Sequence, residues 1–387
     1  MKLLHTSDWH VGKAIRGISR ADEHQAVLAE IAAIAEREEV DLVIVAGDLF
    51  DSSAPTAQAE QIVYGALVDL ARSGAEVAVI AGNHDHPRRL QAVAPLLQLG
   101  KVHLVAEPTR PDHGGVISLQ ARSDQSEIRL AMLPFVSKRG IVRAKELVGN
   151  QAFENAQLYS DRMRLLIGAL CESFDADTVN LLTAHTFVLG GETGGGERPA
   201  HLVEEYAVMA QSFPSDTLGY GALGHLHRPQ RIGPTLHYCG SPLQLDFGES
   251  DQVKQVNIVT LEPGLPARVE ASPLRSGREL RTVAGTLDEL ASLEVSDDVW
   301  LRVVVEGPGR ADLAPTVRQL LGDGVVDVRL QSHGSTRVRP MIDHRGRSPQ
   351  ELFGQYLKHL DFDDTRVSDL FDELVAGADE PNGQGRS

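Results

Sequence analysis

Leu42-Val43-Ile44-Val45-Ala46-Gly47-Asp48 is the stretch that decides the fold class. Five successive apolar residues, rich in β-branched side chains, describe a strand buried on both faces, which is the habit of parallel sheets. The strand ends abruptly in Gly-Asp. Upstream, Val27, Leu28, Ile31, Ile34 and Ala35 recur at helical spacing between Ala21 and Val40. Downstream, a helix candidate from Ala57 to Ser73 leads to a second apolar strand, Val77-Ala78-Val79-Ile80, followed by Gly82-Asn83-His84-Asp85. At the N-terminus the strand candidate Lys2 to Thr6 stops at Ser7-Asp8-Trp9-His10. Three βα units whose strands each end in ligand-type side chains predict an α/β sheet, helices on both of its faces, and one site along its rim.

Further strands are expected at Ile128 to Leu133, Val179 to Ala184, Tyr220 to Leu223 and Val256 to Thr260. The Gly190 to Gly196 run (GGETGGG) reads as a surface loop or a lid; without Gly-Lys-Ser/Thr it is no phosphate-cradling loop. After Pro263 the strands Leu280–Val283, Trp300–Val305 and Val325–Leu330 alternate with helix candidates at Leu287–Leu293 and Leu313–Leu321, an α+β unit without ligand clusters. The tail carries two amphipathic helix candidates. The first opens on a capping box, Ser348-Pro349-x-Glu351, and aligns Leu352, Phe353, Tyr356, Leu357 and Leu360; the second aligns Val367, Leu370, Phe371 and Leu374. The expected domains are residues 1–263, a small α+β domain over 264–335, and a helix pair over 336–387 whose acidic end from Asp379 is disordered.

A chain of 387 residues, 42% hydrophobic and 24% charged, has the composition of a globular protein with more than one domain. No apolar run approaches the ~20 residues of a membrane-spanning helix. Two cysteines, Cys171 and Cys239, make no disulfide framework, so a reducing cytoplasm is expected. The net charge of −17 argues against binding a polyanion by the whole surface; any such partner must be held locally.

Taken singly, Asp8-x-His10, Gly47-Asp48, Gly82-Asn83-His84-Asp85, His185 and Gly224-His225-Leu226-His227 are ordinary turn, cap or core features. Together they place oxygen and nitrogen donors, and no thiolate, at the ends of five strands. Asp8, His10, Asp48, Asn83, His185, His225 and His227 are too many for one ion, but they suit two divalent cations ~3.5–4 Å apart with one carboxylate bridging. Asp48, central in chain order, is the expected bridge. The donor set leaves Mn²⁺, Mg²⁺, Fe and Zn²⁺ open. Two such ions outweigh the two carboxylates and make phosphate the natural visitor; they also bring a bridging water into the neutral pKa range for in-line attack. His84 is the candidate acid for the leaving oxygen, with Asp85 expected to orient its imidazole.

These five clusters resemble the signature of the calcineurin-like metallophosphoesterases, an α/β sandwich of two sheets flanked by helices. HTSDWHVGK, VAGDLFD, IAGNHDHP, LGHLHRPQ and HYCGSPLQLDFGE narrow the likeness to the SbcD nuclease family, from Met1 to about Gly248 and more loosely beyond. The resemblance implies a Mn²⁺-dependent nuclease for DNA repair, recombination and replication, with 3′-to-5′ exonuclease activity on duplex and endonuclease activity on single strands and hairpins. It implies one metal on Asp8, His10, Asp48 and His227, the other on Asp48, Asn83, His185 and His225, and His84 as proton donor. Where relatives carry a second histidine this chain has Asp51. The resemblance further implies that the 264–335 unit caps duplex DNA. Likewise, the helix pair grips the coiled coil of an SbcC-type ATPase, in a heterotetramer containing a homodimer of this chain, near the nucleoid. Lys13, Arg16, Arg88, Arg89 and Arg228 are candidate DNA-backbone contacts. The same metal chemistry serves phosphoesterases of small or protein substrates, which is the alternative reading.

Overall fold

The central strand at Leu42–Val45 is β4 of a six-stranded sheet whose other members are β1 (Lys2–Thr6), β5 (Glu76–Ile80), β6 (Val102–Val105), β13 (Gln255–Thr260) and β14 (Arg268–Pro273). The order is β14-β13-β1-β4-β5-β6, with β1, β4, β5 and β6 parallel. This computed structural model describes residues 1–137, 140–141, 159–197, 206–296, 298–308 and 312–331, together with 353, 357, 367, 370 and 371. A short hairpin, β2 (Ala14–Ile15) and β3 (Ile18–Ser19), leaves the end of β1. Helices α1 (Ala21–Arg37), α2 (Ala57–Arg72) and α3 (Pro87–Gln98) cover one face of the sheet, burying Ile31, Val63, Leu67 and Leu90 against Leu4, Val43 and Val45. Local chemistry starts two of them: the Thr56 side chain accepts the Ala59 amide at 3.2 Å, and Pro87 opens α3.

The other face lacks the helices that the βα pattern alone predicts and bears out the two-sheet sandwich that the family resemblance implies. A second six-stranded sheet covers it in place of helices. Its strands are β7 (Val116–Gln120), β8 (Glu127–Leu133), β9 (Val179–His185), β10 (Tyr220–Gly224), β11 (Gln230–Ile232) and β12 (Leu236–Tyr238), in the order β11-β12-β10-β9-β8-β7. Alternation along the strands explains the arrangement. Leu3, Leu42, Ile44, Ala78 and Ile80 point away from the helices and pack on Leu130, Met132, Leu181, Tyr220 and Ala222. Helix α4 (Tyr159–Leu170) closes the outside of the second sheet with Met163, Leu166 and Ile167. The fold is therefore an α/β sandwich with the C-terminal ends of β1, β4, β5, β9 and β10 gathered at one rim.

The first sheet runs on through β14 to Pro273, past the boundary expected at 263. The next unit is an all-parallel sheet of β15 (Glu279–Gly285), β16 (Val299–Glu306) and β17 (Val325–Gln331), with α5 (Leu287–Ala291) and α6 (Leu313–Leu321). It is tied to the sandwich by a cluster of Ile15, Phe247, Leu280, Trp300 and Val326 and by a hydrogen bond from Trp300 Nε1 to Glu23 Oε1 at 2.9 Å.

The chain divides into two compact units, Met1–Ser332 and His333–Ser387. In the second, Phe353, Leu357, Val367, Leu370 and Phe371 are helical, and the rings of Phe353 and Phe371 stack with centroids 4.0 Å apart. The expected capping box at Ser348, Pro349 and Glu351, the positions Leu352, Tyr356, Leu360 and Leu374, and the end from Asp379 lie outside the described residues. No described helix is long and apolar enough to cross a membrane.

Candidate metal centre

Four of the seven candidate ligands sit in an unusual backbone conformation. Asp8, His10, Asp48 and His225 have φ of 53°, 47°, 51° and 102°, the left-handed region that non-glycine residues rarely enter. Four such residues around one rim mark a place where local backbone cost is outweighed by tertiary contacts. Those contacts are present. The amides of Asp8 and His10 reach the carbonyls of Gly47 and Asp48, both at 3.0 Å, stitching the loops after β1 and β4 together. Gly82 lies so close to Asp48 that any Cβ would strike its carboxylate and amide, and the His84 amide then donates to Asp48 Oδ1 at 2.7 Å.

All seven expected donors converge. Ligand atoms of Asp8, His10 and His227 lie within 4.8 Å of one another, as do those of Asp8, Asp48 and His185 and those of His10, Asp48 and His84. Asp48 Oδ2 is 3.5 Å from His10 Nε2 and 3.4 Å from His185 Nε2, between the two halves of the group. Asn83 Oδ1 sits 3.1 Å from His185 Nε2 and 2.8 Å from His225 Nδ1. His10 and His227 face each other through Nε2 at 3.1 Å. All but Asn83 are buried, and Asn83 is half-buried.

The surroundings orient these groups. His185 Nδ1 lies 2.8 Å from the Ala46 carbonyl and His227 Nδ1 lies 3.0 Å from Glu249 Oε1, so both rings direct Nε2 to the centre. Asp8 accepts the Ser7 hydroxyl at 2.6 Å and the His225 amide at 3.0 Å. Burial pushes Asp8 up to about 6. Burial also opposes charge on Asp48, yet His185 and then His10 hold it well below the usual carboxylate range. Reciprocally, Asp48 lifts His185 to about 9 against the desolvation of its site. Such a buried set of mutually facing carboxylate and imidazole donors fits a pair of divalent cations. Neither cysteine belongs to it.

Two expectations change. The Asp85 carboxylate does not take up the His84 imidazole: it accepts the amides of Gly82 at 2.8 Å, Phe50 at 3.0 Å and Leu49 at 3.2 Å, fastening the loop after β5 to the loop after β4. The Asp51 carbonyl, 2.7 Å from His84 Nδ1, faces the ring instead. The glycine run 190–196 is not a free loop at its C-terminal end, because Gly194 and Gly195 donate to buried Glu197, which also accepts the His227 amide at 3.0 Å.

The basic candidates are dispersed. Lys13 pairs with Asp51 at 3.1 Å beside the centre. Arg16 pairs with Asp327 of β17 at 2.9 Å, Arg89 with Glu60 at 2.7 Å and Arg228 with Asp251 at 2.9 Å, while Arg88 is exposed. Glu197 and Glu249 escape a reading of the sequence, since their partners lie 30 and 22 positions away.

The chain matches the calcineurin-like phosphoesterase family over residues 1–208. It is 33% identical to the SbcD component of the SbcCD nuclease of Bacillus subtilis (strain 168), an alignment covering 98% of this chain and 94% of that protein. It is 29% identical to the SbcD component of the Escherichia coli (strain K12) nuclease, over 97% and 93%. With the corresponding SbcD protein of Rhodobacter capsulatus the identity is 31%, over 75% of this chain and 76% of that one.

Proposed function

The chain belongs to the calcineurin-like phosphoesterase family, and on that premise we propose that it is a metal-dependent nuclease that hydrolyses phosphodiesters at DNA ends. The observation that carries the reading is Asp48 Oδ2 lying between His10 Nε2 and His185 Nε2, inside a ring of seven oxygen and nitrogen donors. One ion would be held by Asp8, His10, Asp48 and His227, the other by Asp48, Asn83, His185 and His225, and Mn²⁺ is the ion we assign to both. When bound, the ions supply an activated water and neutralise charge on the phosphate. The residues do the rest. Asp8 and Asp48 set the spacing of the two halves, and Asn83 braces His185 and His225. His84, with Nδ1 toward the Asp51 carbonyl, delivers a proton from Nε2 to the leaving oxygen.

The names of the relatives support a role as the SbcD component of an SbcCD nuclease; a coiled-coil ATPase as its partner, and 3′-to-5′ exonuclease with single-strand or hairpin endonuclease activity, are what the family resemblance adds to the proposal. In this reading the β15–β17 unit caps duplex DNA, the helix pair of 336–387 holds the ATPase, the chain dimerises within a heterotetramer, and the complex works on the cytoplasmic nucleoid. Lys13 and Arg88 are the basic residues best disposed to meet the DNA backbone, Lys13 lying beside the centre and Arg88 being exposed next to the loop after β5. The deciding experiment incubates purified protein with end-labelled duplex DNA or a generic phosphodiester, in Mn²⁺ or Mg²⁺, with and without the ATPase. Shortening of the duplex from its 3′ ends is expected. Hydrolysis of the generic ester alone would make the protein a phosphoesterase of small substrates.

A further inference from the structure

A buried polar relay stands behind His227. The ammonium of Lys254, itself buried, meets Glu249 Oε2 at 2.7 Å, Gln252 Oε1 at 2.8 Å, Ser241 Oγ at 2.9 Å and the His227 carbonyl at 3.0 Å. Glu249, fully buried, accepts the Leu245 amide at 2.9 Å through Oε2 and faces His227 Nδ1 through Oε1 at 3.0 Å. From the opposite side the glycine run delivers Glu197 to the His227 amide. A Cβ on Gly196 would collide with both Glu249 and the His227 imidazole, so this close approach requires glycine.

A buried ion pair is weak evidence for stability, since apolar residues of similar volume commonly serve as well. An ion pair whose outer oxygen meets one nitrogen of an imidazole has a more specific consequence: it decides which nitrogen carries the proton. We propose that Glu249 is a positioning residue for His227, its carboxylate fixing the ring with the proton on Nδ1 and Nε2 turned to the metal centre, while Lys254 and Glu197 lock the pair in place. The inference rests on His227 being a ligand, as proposed above. Glu249 lies outside the candidate ligand groups and would act through His227.

The test measures Mn²⁺ binding to the full chain by calorimetry in H227A, E249Q and E249L/K254M, the last removing the ion pair at similar volume. Glu249→Gln is expected to weaken Mn²⁺ affinity by ~10–100-fold with native circular dichroism, the range for groups that orient a metal ligand. His227→Ala is expected to weaken it at least as much. Wild-type affinity in H227A would overturn the ligand assignment itself, whereas a weakened H227A beside folded Glu249 variants of wild-type affinity would overturn only the positioning role. A measurement on the unsubstituted chain stands apart from any folding defect. Loaded with Zn²⁺, it is expected to show a downfield Nδ1 proton protected from exchange, assigned to His227 by its loss in H227A; its absence would overturn the inference.

Discussion

Nε2 of His185 lies 3.4 Å from Oδ2 of Asp48, although the histidine ends a strand of the second sheet and the aspartate follows a strand of the first. The contact fastens the two halves of the sandwich at the rim where the candidate ligands meet. Asp48→Asn keeps the shape and removes the charge. Loss of more than ~10²-fold in Mn²⁺-dependent hydrolysis is expected, about 3 kcal/mol of transition-state stabilisation, together with weaker Mn²⁺ binding. Single-turnover rates and calorimetry check both; wild-type values for either would remove Asp48 from its bridging place.

His84→Gln separates proton delivery from metal binding. The variant is expected to bind Mn²⁺ and DNA as the unsubstituted protein does while turning over ~10²–10⁴-fold more slowly. An unchanged rate would leave the leaving oxygen without an assigned acid.

Gly82→Ala tests how tightly the loops after β4 and β5 are packed. The added methyl meets the Asp48 carboxylate and amide, so both the ligand and the His84 amide must shift. A destabilisation of ~1–3 kcal/mol by denaturant titration is expected, with a drop in Mn²⁺ affinity. A variant as stable as its parent would show that the rim can relax.

Acid sensitivity follows from three histidines away from the centre. Burial is the chief cause in each case, pushing His5 down to about 3 and His24 and His237 to about 4. The unfolded chain binds protons near the ordinary histidine value of ~6.5, whereas the folded chain does not until lower pH. Their contribution is therefore present above pH ~6.5 and is lost as pH falls toward 4, on the order of 2–3 kcal/mol per histidine. Urea midpoints at pH 7, 5.5 and 4 should decline, and His24→Gln should flatten the decline. A midpoint independent of pH would contradict the burial of neutral imidazoles.

Deletion of residues 350–387 removes most of the second compact unit and none of the candidate ligands. Co-purification with the coiled-coil ATPase should vanish while Mn²⁺-dependent hydrolysis persists. Normal complex formation by the shortened chain would move the ATPase contact elsewhere.

Much of this architecture is legible in local patterns. β1 spans Lys2–Thr6 as its apolar run implies, and α1 buries the five residues that the helical spacing selects. The candidate ligands are legible because each sits at the end of an apolar strand or within a few residues after it, where a parallel sheet exposes its strand ends. The second sheet behind β4 is not, because an apolar run reports burial on two faces without saying what buries them. Asp85 is not legible either: a carboxylate beside an imidazole suggests a pair, but the amides it binds at Leu49 and Phe50 belong to another loop.

The sequence by itself determined the strands, their helices and the donor types at the strand ends, since these depend on periodicity and on chemistry carried within a few residues. Only the tertiary structure decided which oxygen lies between which imidazoles, that Asp85 ties loops together, and that Glu249 and Glu197 enclose His227. Those are distances between residues far apart in the chain, set by how two sheets pack and by left-handed turns that only the assembled rim can hold.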